Sequence, residues 1–173
     1  MTRYCIVLAA ALGAGCGRPA GPLPLPAQRH VSDGRDPGDL GIYIDMGDPF
    51  AAEYVVRDIS PEKSNWRWAF VRPELKVRAP RTQRFRFAME FAVPEVTFRV
   101  TGPVRVTCYL DGKSLGPMPV HEAGRHRYER PVPPGWVQPG ATVSVTADVD
   151  KRYIAKDDGA QLSFLLSAAG FVE

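Results

Sequence analysis

Two short motifs and two side-chain groupings in this 173-residue chain carry residue types able to do chemistry. "GKSLG", residues 112–116, matches G-x-S-x-G, the strand–turn–helix elbow that holds a nucleophilic serine strained and exposed. Pro117 and Pro119 follow at once and forbid the helix, while Asp111-Gly112 reads as the tip of a β-hairpin. The triplet "GKS" is not a phosphate loop either, because position 107, where the upstream glycine would stand, is Thr. "HEAGRH", residues 121–126, departs from the zinc-binding H-E-x-x-H: its histidines are five apart and Gly124 opposes a helix. It reads as a polar hairpin loop. No catalytic residue is expected, and the chain is read as a non-enzyme.

The first grouping is acidic. Asp148, Asp150, Asp157 and Asp158 follow one another closely at a strand end and the next turn. Loop carboxylates of this kind suit a hard cation, which makes these four the candidate ligands of a structural Ca²⁺. Their spacing is not that of an EF-hand, and Lys151, Arg152 and Lys156 interleave with them, so solvated surface ion pairs are the competing reading. No other cofactor is expected.

The second grouping is aromatic. The C–H faces of a sugar ring pack on aromatic faces, and Trp66, Trp68, Tyr128, Trp136 and Tyr153 are the natural platforms. The candidate ligand-binding set is Trp66, Arg72, Trp136, Arg152 and Tyr153, with the arginines and nearby acids meeting hydroxyl groups. Trp66 and Trp68 share a strand face with Phe70, which favours burial of at least one. Trp136 lies between "PPG" and "QPG" in a loop and is the better candidate for exposure. The competing reading makes all of these aromatics core residues and loop anchors.

The three cysteines bear on location. Residues 1–15, "MTRYCIVLAAALGAG", read as a secretion signal, with Arg3 as the positive start and a short apolar run behind it. About ten apolar residues cannot cross a hydrocarbon core roughly 30 Å thick as a helix. The run "LGAGC" resembles the lipobox of bacterial lipoproteins. Ala14 and Gly15 fit the two positions before Cys16, while Gly13 departs from the usual leucine and Leu12 sits one residue further back. The resemblance implies that Cys16 is lipidated and becomes the N-terminus of a protein anchored to a membrane of the bacterial cell envelope. An ordinary secretory signal cleaved near the same place is the alternative. Cys108 then remains as the free thiol, leaving no intramolecular disulfide, and its alternation with Val106 and Leu110 reads it as a buried small hydrophobe. Residues 16–39 hold the lipidated cysteine and a Pro/Gly-rich linker, whose 22-residue stretch 17–38 would span about 70 Å as extended polyproline II.

A formal charge of +3 is too slight a basic excess for a nucleic-acid partner. Seventeen prolines and sixteen glycines punctuate the chain and favour short strands over long helices. From residue 40 onward short apolar runs dominate: "AAEYVVR", "NWRWAF", "ELKVRA", "QRFRFAMEFAV", "EVTFRV", "VRVTCYLDG", "HRYERPV", "ATVSVTADV" and "AQLSFLLSAAGFV". Phe85, Phe87, Met89 and Phe91 alternate with Arg84, Arg86, Ala88 and Glu90, the period of a half-buried antiparallel strand. These runs and the turns between them predict one all-β domain over residues 40–173, a single antiparallel β-sandwich of jelly-roll type. The order "WRWAF…ELKV", "VTFRVTGPVRVTCYLDGKSLG", "GRHRYERPVP" and "YIAKDDGAQLSFLLSAAGF" resembles the galactose-binding-like, carbohydrate-binding-type jelly-roll modules of bacterial envelope proteins. That resemblance covers about two thirds of the chain and implies a binding module. Two functions are therefore expected to compete: binding a glycan or other envelope component through the sandwich loops, or docking a protein partner on a sheet face or edge strand.

Overall fold

The computed structural model describes residues 39–82 and 84–173; the expected signal, Cys5, Cys16 and the linker through residue 38 lie outside the described residues. The elements in chain order are β1 (Tyr43–Asp45), α1 (Ala51–Tyr54), β2 (Val55–Ile59), β3 (Arg67–Arg78), β4 (Arg86–Val93), α2 (Glu95–Thr101), β5 (Val104–Leu110) and β6 (Lys113–Val120). They continue with β7 (Gly124–Pro131), β8 (Thr142–Val149), β9 (Tyr153–Ile154), β10 (Gln161–Leu162) and β11 (Phe164–Val172). The fold is all-β, and the described strand pairs are antiparallel.

The strands run β6-β5-β8-β3-β11-β4-β7, with β1 added to β11 and β2 to β3. β3 is long enough to serve two layers. Its last residues pair β8, from Glu74↔Thr146 to Arg78↔Thr142, and its first pair β11, Arg67↔Leu166 to Ala69↔Phe164. Between them the register against β2 jumps from Arg57↔Glu74 to Ile59↔Ala69, a bulge of the kind that bends a strand. The front layer is β2, the end of β3, β8, β5 and β6; the back layer is the start of β3, β11, β4 and β7, with β1. Phe87, Phe91, Phe164 and Phe171 from the back meet Val77, Val106, Cys108 and Leu110 from the front in one core. Of the strands from β3 to β8, only β5 and β6 are consecutive partners; the remaining connections pass between layers, the winding of a jelly roll. Asp111 and Gly112 both have positive φ, 46° and 79°, making the two-residue turn that the β5–β6 hairpin needs.

Several local expectations are corrected. "EVTFRV" is the helix α2, because Pro94 ends β4 in extended geometry and its carbonyl accepts the amides of Thr97 and Phe98. At seven residues α2 is too short to show a helical period in sequence. "AAEY" is likewise the short helix α1 leading into β2. "WRWAF" and "ELKVR" are one strand, not two. "HEAGRH" is no hairpin: β6 and β7 belong to different layers, and the chain between them crosses the end of the sandwich.

Candidate functional site

The outward face of the back layer follows from strand register. Three rows of side chains cross it: Trp68–Leu165–Ala92–Arg125, Asp45–Ala168–Glu90–Arg127 and Tyr43–Gly170–Ala88–Glu129. Successive residues of a strand point to opposite faces, so Trp68, with buried Arg67 (3% exposed) and Ala69 on either side, belongs to this outer face. The middle strands β11 and β4 contribute mostly Ala and Gly. They form a low floor between a wall of Tyr43, Asp45 and Trp68 and a wall of Arg125, Arg127 and Glu129. The walls stand three strand spacings apart, about 14 Å.

One end of this trough is filled by a charge network. Arg127 Nη1 donates to Glu90 Oε1 at 2.5 Å, Arg127 Nε to Glu129 Oε2 at 2.6 Å, and Arg86 Nε meets Glu129 Oε1 at 2.9 Å. Glu129 is consequently held below the usual carboxylate range, chiefly by its hydrogen bond from Arg127. Tyr43 donates its hydroxyl to Glu90 at 3.4 Å, and burial together with the Glu90 charge raises its pKa. The other end is open. It is a cleft of about 380 Å³ bordered by Asp45, Asn65, Glu90, Arg125, Arg127 and Ser167, the last being the residue bulged out where the β11 register shifts. Trp66, 40% exposed, stands beside Asn65 with its ring edge-on to Trp68, centroids 6.5 Å apart. Asp45 Oδ1 accepts the Gly47 amide at 2.7 Å. A Cβ at Gly47 would lie 2.8 Å from Asn65 Oδ1, so glycine lets the turn after β1 close against Asn65. The aromatic pair thus shares a face with a polar cleft that has donors and acceptors on both sides, an arrangement that accepts a hydroxylated ring.

The five residues expected to bind ligand are not gathered in one place. Trp66 is on the trough. Arg72 lies on the β3 bulge, its amide held by Asp58 Oδ2 at 2.9 Å and its guanidinium 5.6 Å over the Tyr109 ring of the front layer. Arg152 binds Asp148 at 2.5 Å, and Tyr153 sits in the β9–β10 ribbon opposite Leu162. Trp136 is half-buried against the core with the Lys113 ammonium 5.8 Å over its ring, contrary to the expected exposure. It lies past the far end of β3, where Ala79 bonds Ala141, and the twelve residues of that strand, about 40 Å of chain, lie between that end and Trp66. The expected burial of Trp66 or Trp68 also fails, since Arg67 and Ala69 occupy the inward positions. Tyr128, by contrast, is fully buried.

Three of the four acids are engaged by other partners. Asp148 holds Arg152, Asp150 accepts the Arg105 amide at 2.7 Å, and Asp158 accepts the Ala160 amide at 2.9 Å. Among the described residues no three His, Cys, Asp or Glu side chains are grouped to hold a metal ion. Ser114 accepts the Gly116 amide inside the hairpin, and a His126 ring nitrogen lies 3.0 Å from the Glu122 carbonyl. Cys108 is buried, and burial pushes its thiol pKa well up. Sequence reasoning missed Asp45, Asn65, Arg125 and Arg127. For the arginines the signal was present: in "RHRYER" the alternation about Tyr128 puts Arg125, Arg127 and Glu129 on one face. Asp45 and Asn65 come from a three-residue strand and a loop, with no local pattern.

No family model matches this chain. No curated protein matches it at the level of sequence. Solved structures do show similarity. An acetyl xylan esterase, Est2A, from the rumen bacterium Butyrivibrio proteoclasticus is 10% identical with a TM-score of 0.44, over 76% of this chain and 33% of that one. A cycloisomaltooligosaccharide glucanotransferase from Paenibacillus sp. is 10% identical with a TM-score of 0.41, over 76% and 18%. An exo-β-1,3-galactanase from Phanerochaete chrysosporium is 9% identical with a TM-score of 0.36, over 77% and 26%. The chain thus spans a third or less of each of these proteins. Among the described residues no helix is long and apolar enough to cross a membrane.

Proposed function

We propose that this chain is a non-catalytic, lipid-anchored protein of the bacterial cell envelope whose back-layer trough binds a glycan. The observation that carries the reading is exposed Trp66, edge-on to half-buried Trp68 and next in sequence to Asn65, which borders the polar cleft. Its carboxylates are already engaged, Glu90 and Glu129 by arginines and Asp45 by a backbone amide, which supports holding a ligand over proton transfer to it. The anchor rests on the lipobox resemblance at Cys16. The full-length chain on a glycan array should bind at least one sugar, with a shift in tryptophan emission, and Trp66→Ala with Trp68→Ala should abolish both signals. Absence of any bound glycan, or binding untouched by the double change, would remove the reading. Cys16→Ser should move the protein from the membrane to the soluble fraction; unchanged membrane association and processing would remove the anchor.

One observation favours the second reading, a structural or assembly lipoprotein with a protein partner. Val96 and Val100 on α2 and Ile154 on β9 are 60–69% exposed, and the two elements touch. Photo-crosslinking from position 100 in intact cells should then capture one partner of defined mass.

A further inference from the structure

We propose that the sugar taken by the trough is anionic, and that Arg125 grips its carboxylate. The inference rests on the trough being the glycan site and assigns the ligand's charge and orientation. Arg127 is shared by Glu90 and Glu129, and Glu129 also holds Arg86, so those four charges satisfy one another. Two charges remain, Arg125 on β7 and Asp45 on β1, and both border the open cleft.

Arg125 is exposed, and its side chain makes no hydrogen bond or ion pair among the described residues. Its neighbour across the sheet is Ala92, too short to reach it, and beyond Ala92 the row continues with apolar Leu165 and Trp68. Arg127, two residues on and facing the same way, is clamped between carboxylates. Of the two arginines on this wall, the one opposite the aromatic end is therefore the one left without an anion. A guanidinium presents a flat fork of donors that matches a carboxylate with two parallel hydrogen bonds.

Asp45 fixes the ligand's direction. One of its oxygens takes the Gly47 amide, and Asn65 lies against the same turn. That wall can accept hydroxyl groups of a ring stacked on Trp66, whereas a ligand carboxylate placed there would meet a like charge. The wall-to-wall distance of about 14 Å separates the two ends. The acidic group therefore lies toward β7 and the stacked, hydroxylated ring toward Trp66.

The test uses the full-length chain and calorimetric titration with trisaccharides of galacturonate, glucuronate, mannuronate and guluronate, each beside its carboxyl-reduced neutral counterpart. At least one acidic trisaccharide should bind about tenfold or more tighter than its neutral form, the scale expected for a charge-assisted hydrogen bond. Added salt should weaken that binding. Arg125→Gln should erase the preference while leaving weak neutral binding, and Arg125→Lys should recover part of it. Equal affinity for acidic and neutral forms, or a preference unchanged in Arg125→Gln, overturns the anionic assignment while leaving the trough as a glycan site. Failure of every acidic and neutral sugar to bind overturns both.

Discussion

Glu129 joins two arginines, and its ionisation holds one wall of the trough together. Its carboxyl group is pulled below its ordinary value first by the Arg127 hydrogen bond, with the charges of Arg86 and Arg127 adding to it. A carboxylate whose folded pKa is depressed stabilises the fold above its unfolded pKa, and loses that contribution as pH falls through the folded one. Thermal stability should therefore fall as pH drops below the ordinary carboxylate range. Glu129→Gln should flatten that acid limb while changing little at neutral pH, where solvent screens an exposed ion pair; melting curves between neutral and acidic pH would show it. Cys108 behaves in the opposite way. It is sealed between the layers, 4.0 Å from Met89 Sδ, and its thiol stays protonated. A thiol reagent acts on the thiolate, so in a chain carrying Cys5→Ser and Cys16→Ser no labelling is expected until denaturant opens the core.

Strand β11 joins the two elements that make one wall of the trough, β1 and the start of β3, to the floor strand β4. Its close fit to β1 depends on Gly170, where φ is +149° and an added Cβ would fall 2.3 Å from the Ile42 carbonyl oxygen. Both terms are backbone, so neither can be relieved by a side-chain rotation. Gly170→Ala should cost about 3 kcal/mol or more and detach β1 first, which equilibrium denaturation and amide exchange at Ile44 would report. Little of this could be read beforehand. "RFRFAMEF" and "TVSVTADV" declare their inward faces because alternation is local, and all-β sandwich architecture follows from such runs. The addition of β1 to β11 and the trough depend on pairings between strands far apart in the chain, Tyr43 with Gly170 and Trp68 with Leu165 among them, which no window of sequence contains. Trp66 was legible as an aromatic able to meet a sugar, but its neighbours on the face were not: Arg125 arrives through β4, and Asp45 through β11. Trp136 misled for the same reason, since its loop folds back against the core instead of projecting from it.

A two-layer sandwich leaves open edges, and here the edges of the two layers close on each other. β6 carries Pro117 and Pro119, which lack amide donors and so make this front edge a poor template for another strand. The back edge, β7, reaches across to it: the Tyr128 hydroxyl donates to the Gly116 carbonyl at 2.6 Å and Arg130 Nη2 to the Pro117 carbonyl at 3.3 Å. Tyr128 is fully buried, its ring packs edge-on to Phe87, and burial raises its phenol pKa, so the donor persists through the neutral and mildly alkaline range. Since β7 also supplies Arg125 and Arg127, the bond that closes the barrel-like edge steadies one wall of the trough as well. Tyr128→Phe keeps the packing and removes only the hydroxyl, leaving the Gly116 carbonyl without that donor. The expected cost is about 1–2 kcal/mol, or roughly 2–8 °C in Tm for a chain of this size. Amide exchange should accelerate along β6 and β7 while β4 and β11, paired on both sides, stay protected. Uniform acceleration across both layers would mean that the Tyr128–Gly116 bond is not a separate closure, and that the two layers open only together.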